Sequence, residues 1–176
     1  FENIKLKSVD SMSDEETKNT LLSSGLWPFI KERPIDVIAN PNNKPKAIFV
    51  STFDSSPLAP NFSYILKDSR DEINSGLEVL KKLTTGKVHL NMCSKESLKK
   101  LNLEVEGIQI NKIIGKHPAG NIGTQIHHID PLNKGESIWS VNIQDLAIIG
   151  RYFLEGKYNV KRTIALTGSE VKNPQY

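Results

Sequence analysis

The side chains of this sequence suited to chemistry near neutral pH are four histidines, one cysteine and a loop aspartate. His89 falls in a strand-like run, His117 in a tight turn, and His127 and His128 are adjacent in a short helical pattern. Adjacent helix positions point about a third of a turn apart, so His127 and His128 do not easily share one ion. Surface or hydrogen-bonded structural roles are the simpler reading, and no metal site is expected. His117 stands apart because Pro118 and Gly120 fix the backbone around it at a strand–helix junction. A helix amino end offers free N–H groups to an anion or a polarised carbonyl. Its plain alternative is a turn whose imidazole caps something, and His117 and Gly120 are kept as cleft-lining candidates. Asp54 follows a strongly apolar run and could bind a ligand hydroxyl or ring nitrogen, although loop aspartates more often bond their own backbone. Gly115, Gly120 and Gly123 do not make a dinucleotide fingerprint, and neither a phosphate-loop lysine pattern nor G-x-S-x-G occurs. A lone Cys93 excludes an internal disulfide, a cysteine zinc cage and an iron–sulfur cluster held by these residues alone.

The elements that must position these groups are read from periodicity. Ala47–Val50 is an unbroken apolar run, the mark of a strand covered on both faces. A long helix is predicted from about Phe62 to a stop at Gly86, with Ile73, Leu77, Leu80 and Leu83 on its buried face around Gly76. The loop between them, Ser51–Pro60, lies beyond a strand's carboxyl end, where open α/β sheets hold ligands. Upstream, residues 1–12 form an irregular surface lead-in. Ser13 and Glu16 form a capping box for a helix ending at Gly25, and the prolines up to Pro45 predict irregular chain. Downstream, strands are predicted at Lys87–Asn91, Ile108–Ile114, Ser137–Val141 and Thr163–Thr167. Helices are predicted from Ser94, over Asn121–Asp130, and after an Asn142 cap. The last would bury Ile143, Leu146, Ala147, Gly150, Phe153 and Leu154. Alternating strands and helices without hairpin signals predict an α/β fold with a mostly parallel sheet flanked by helices. The expected organisation is a single domain over 13–168, with 169–176 starting the connection to a following domain absent from this chain.

Composition bounds the rest. The 176 residues carry 38% hydrophobic and 24% charged side chains, enough for one α/β domain with a real core. The net charge of +3 is spread without a basic stripe, which argues against nucleic acid. No apolar run approaches the roughly 20 residues that cross a bilayer.

Several segments taken together resemble one family. SGLWPFIKERP (24–34), AIFVSTFDSSPLAP (47–60), GLEVLKKLT (76–84), KHPAGNIGTQIHHIDPL (116–132), WSVNIQDLAIIGRYFLEG (139–156) and IALTGSEVKNP (164–174) occur in this order. The chain is similar to the middle portion of the A subunit of the bacterial Na+-translocating NADH:quinone oxidoreductases. That family is in turn similar to the NADH-binding flavoprotein subunit of respiratory complex I and the C subunit of Rnf complexes. In those relatives a G-x-G-G-A-G-F loop stands where this chain has Gly25-Leu26-Trp27-Pro28-Phe29, and an acidic flavin-side loop aligns with Ser51–Pro57. Leu26, Trp27 and Pro28 would crowd a phosphate where glycines admit one, so those flavin and NADH sites are not carried over. The resemblance implies a fold like that flavoprotein domain with degenerate flavin loops, in a peripheral protein on the cytoplasmic face of the inner membrane. It also implies a role in quinone contact or subunit docking. FMN, FAD, the iron centre and NADH would belong to other subunits, one of them membrane-embedded. Trp27 and Phe29 are the candidate walls of a quinone slot, with Asp54 or His117 as polar contacts. The remaining readings are a flavin-carrying electron-input domain of Rnf type and a purely structural docking module.

Overall fold

In a computed structural model, which describes residues 6–93, 106–159 and 161–172, the apolar run after Lys46 becomes the centre of a six-stranded sheet. The strands are β1 (Ile30–Arg33), β2 (Val37–Ile38), β3 (Ala47–Ser51), β4 (Lys87–Met92), β5 (Ile108–Lys112) and β6 (Ile138–Asn142), ordered β2-β1-β6-β3-β4-β5. β3 runs parallel to β4 and β6, and β4 parallel to β5. Both faces of β3 are covered. Ile48 and Val50 enter the main core, while Ala47 and Phe49 join Ile126 and Ile138 in a smaller one.

The helices are α1 (Asp14–Ser23), α2 (Phe62–Ile65), α3 (Arg70–Lys81), α4 (Ile122–Ile129) and α5 (Ile143–Glu155). α3 and α5 contribute Ile73, Leu77, Leu146 and Ile149 to the main core, whereas α4 covers the opposite face through Ile126. Two predicted caps are present: Ser13 and Glu16 bond reciprocally, and Asn142 accepts from the Gln144 N–H at 2.9 Å. α5 ends at Gly156, whose φ of 66° is the left-handed stop.

The sheet is mostly parallel, as predicted, but mixed: three of its five pairings are parallel, and both pairings of β1 are antiparallel. β1 pairs antiparallel with β6, from Ile30↔Val141 to Arg33↔Ile138, and antiparallel with β2. Only Ile30 is buried in β1, and Pro34 falls in the turn, so neither an apolar alternation nor a usual hairpin dipeptide announces it. The predicted long helix is two. Asn61 caps α2, a turn closed by Ser69 N–H to Leu66 C=O intervenes, and α3 stops at Lys81. Leu66 is buried seven residues before Ile73, so the apolar period carries across the break, and only the turn at 66–69 divides the helix. Leu83 is buried in the following turn, and Gly86 lies so close to the Lys46 carbonyl oxygen that a β-carbon would overlap it.

Thr163–Thr167 is not a strand among the described residues. It has no strand partner, and Ile164 is 79% and Leu166 78% exposed, because β-prone composition makes a strand only where a partner edge is offered. β5 stops at Lys112 and leaves Ile110 and Ile114 exposed, as an edge strand can. Leu154 points to solvent. The lead-in is anchored, since Val9 and Met12 are buried around a 3-10 turn at Val9–Ser11. The helix predicted from Ser94 lies outside the described residues.

Candidate functional site

β1 and β6 carry polar side chains on the part of the α4-side face that the helix leaves uncovered. Lys31 and Ser140 are cross-strand partners, and Arg33 follows Lys31 on the same face, two residues on. Beyond them the carboxyl ends of β3 and β6 and the amino end of α4 enclose an open cleft of about 640 Å³, the size of a small-molecule site. The loop predicted to border a site supplies Ser51, Phe53 and Asp54, and Phe29 and Phe62 add two further rings. Lys31 has no hydrogen-bond or ion-pair partner among the described residues, whereas Arg33 pairs with Asp36 at 3.4 Å and lies 3.5 Å from Ser140 Oγ. At one rim Arg162 pairs with Asp145 and stacks over Phe29 at 5.5 Å.

Of the five residues singled out from sequence, three line this cleft: Phe29, Asp54 and Gly120. His117 is exposed and does not line the cleft, its Nδ1 hydrogen-bonded to Ser55 Oγ at 3.3 Å. Trp27 is elsewhere. It is 4% exposed in the main core, edge-on to Trp139 at 5.5 Å, and donates its indole N–H to the Ala39 carbonyl at 2.7 Å. Asp54 forms the bland arrangement, accepting from the Ser56 N–H at 2.8 Å as an Asx-turn. Gly120 is required by close approach, since a β-carbon there would overlap the Ser55 backbone, and its N–H donates to Ser55 Oγ at 2.8 Å. Lys31 and Arg33 escape a reading of the sequence because their alternation becomes meaningful only once β1 is a strand. The I-K-E-R spacing is the available signal.

Residues 25–29 do not fit a phosphate cradle. Gly25 takes φ 75°, and Trp27-Pro28-Phe29 close into a 3-10 turn. Leu26 and Trp27 are packed inside, so at this turn buried side chains stand where a phosphate-binding loop needs bare backbone. Among the described residues no group of three or more histidine, cysteine or carboxylate side chains could hold a metal. His89 is buried and stacked on Phe49 at 4.3 Å, and burial pushes its imidazole below the ordinary value. His127 and His128 are exposed.

A six-stranded mixed α/β domain with a cleft at the carboxyl ends of β3 and β6 is the class that fold and site define. The family model described as "NqrA second alpha/beta domain" matches residues 12–158, and the chain belongs to that family. Among curated relatives, the A subunit of the Na(+)-translocating NADH-quinone reductase of Neisseria meningitidis serogroup B is 36% identical over 99% of this chain and 39% of its own length. The corresponding protein of Yersinia pestis is 35% identical over 99% of this chain and 38% of its own length. The chain therefore spans about two-fifths of the length of the relatives it matches.

Proposed function

We propose that this chain is the part of a Na+-translocating NADH:quinone reductase, within its NqrA protein, that contacts quinone through the Phe29–Lys31–Phe53 cleft. In this reading the parent complex is a membrane-associated oxidoreductase that oxidises NADH, reduces quinone and moves Na+. The chain sits at its cytoplasmic face against a membrane-embedded partner, and FMN, FAD, the iron centre and NADH are carried elsewhere. The observation that carries it is the lining: three phenyl rings beside an ammonium without a partner among the described residues. A quinone is a flat apolar ring with two carbonyl acceptors, and an ammonium offers three donors to them. Asp54 then has the complementary role, because a carboxylate accepts and would bond the hydroxyl of the reduced quinol. The packed Leu26 and Trp27 speak for a flavin being held by other chains. Among the described residues no helix is long and apolar enough to cross a membrane.

The test is calorimetric titration of the full-length NqrA protein with a short-chain ubiquinone. Phe29→Ala and Lys31→Ala should each weaken binding about tenfold, equal to roughly 1.4 kcal/mol. Saturable binding that neither substitution alters would remove the cleft from the reading.

Docking is a compatible second role, favoured by a separate observation. The turn of the β1–β2 hairpin and β2 itself expose Ile35, Val37 and Ile38 together at the sheet edge. Exposed apolar side chains along an unpaired edge are what a neighbouring protein of the complex would cover.

A further inference from the structure

The wall of the cleft formed by Asp54, Gly120 and Asn121 comes from two loops that are not adjacent in sequence, and both converge on one buried side chain. Gln125, on the inner face of α4, is 2% exposed. Its Oε1 accepts from Asn91 Nδ2 at 2.8 Å. Its Nε2 lies 3.1 Å from Ser51 Oγ and 3.2 Å from both the Ala119 and Gly120 carbonyl oxygens. Two amide hydrogens are thus shared among three oxygens. Ser51 Oγ in turn donates to the Phe53 carbonyl at 2.9 Å, and Gly120 N–H bonds Ser55 Oγ. Asn91, fully buried on β4, has its own Oδ1 satisfied by Asn111 Nδ2 at 2.8 Å on β5.

From this we infer that Gln125 is the positioning residue of the cleft: it anchors the 117–120 turn and the 51–56 loop to the sheet as one rigid wall. A buried primary amide suits this task because it presents an acceptor to the strand and donors to the turn at once. Buried and fully engaged, such a group is expensive to replace by one lacking either half. Gln125 touches no ligand itself, and its contribution is to hold Asp54 and the α4 amino end at fixed separation from Lys31 and Phe29 across the cleft. The inference rests on the reading of the cleft as a ligand site for its functional meaning, but its physical content is testable without that reading.

Hydrogen–deuterium exchange by mass spectrometry on the full-length NqrA protein supplies the test. In the wild-type protein the amides of 119–121 should exchange at least tenfold more slowly than those of the exposed turn at 134–135. Gln125→Glu keeps the acceptor for Asn91 but sets a carboxylate against two carbonyl oxygens. It should raise exchange tenfold or more at 117–121 and 53–56, while β3, β4 and α3 stay protected. Gln125→Met, which keeps the volume, should do the same if the glutamate variant does not fold. Exchange unchanged in the variants, or raised uniformly over the whole sheet, overturns the inference, as does a fast-exchanging 119–121 segment in the wild type. Titration of the same proteins with a short-chain ubiquinone separates the two readings. Loosened loops with wild-type affinity overturn the role of Gln125 in shaping the site. A wild type that binds no quinone removes the quinone reading, and the exchange pattern still decides whether Gln125 anchors the wall.

Discussion

The imidazole of His89 has one face on Phe49, its Nδ1 taken by Asn111 Nδ2 at 3.1 Å, and its Nε2 buried. Burial lowers its pKa below 6.5, Asp130 pulls the other way, and Lys87 adds to the lowering. The unfolded chain therefore binds the proton more readily than the folded one. His89 contributes stability in full above pH 6.5, and this drains as pH falls below that value, by at most about 1.4 kcal/mol per pH unit. Denaturant midpoints measured from pH 8 to 5 should show that decline, and His89→Gln should flatten it. A second, lower window belongs to Glu136. Its carboxyl is held below 4.5 by the Asn133 N–H and then by Lys46, so its contribution is present above 4.5 and lost as pH drops through the lowered value. Of the side chains that chemistry picks out of the sequence, the loop residues are legible because strand ends and helix starts have recognisable turn composition. Lys31 is not, since a lysine is informative only after its strand is known. Asp54→Asn should leave stability within about 0.5 kcal/mol, because an asparagine side chain makes the same Asx-turn.

At the level of elements, the α3–α5 crossing decides how closely the main core closes. Gly150 on α5 lies against the Glu72 carbonyl and Gly76 N, and a β-carbon on Gly76 would come 2.6 Å from the Leu146 carbonyl oxygen. The two helix backbones meet through paired glycines, and Arg151 then reaches Glu72 at 2.6 Å across the crossing. Gly150→Ala should destabilise by about 3 kcal/mol, at the upper end of overpacking effects, since backbone rather than a movable side chain blocks the new atom. Urea unfolding would measure it, and a loss under about 1 kcal/mol would mean the helices can part. The stripes that make this crossing are visible at three- and four-residue spacing in both helices. The glycines are visible as members of the stripes but not as contact points, because spacing along one helix carries no information about its neighbour. The same blindness produces the false strand at Thr163–Thr167, where local preference is right and a pairing edge is missing.

For the whole molecule, the decisive departure from a parallel α/β sheet is the antiparallel hairpin added beside β6. It places Lys31 and Arg33 on the part of the sheet that α4 leaves open and so makes one wall of the cleft, while carrying Ile35 and Val37 outward at the edge. Ile35→Asp should leave the melting temperature unchanged, since Ile35 is 77% exposed, yet reduce co-purification with the remaining subunits if the hairpin docks. Equal recovery of the complex would assign docking to another surface. The arrangement also fixes what light can report. The chain has only two tryptophans, and both are packed together in the main core, away from the open stretch of β1 and β6 where Lys31 and Ser140 stand. Native indole emission thus reports first on the integrity of the interior, and neither indole can touch an occupant of the cleft. A chromophore in contact with an occupant would have to stand in the lining, with Phe62→Trp the natural choice.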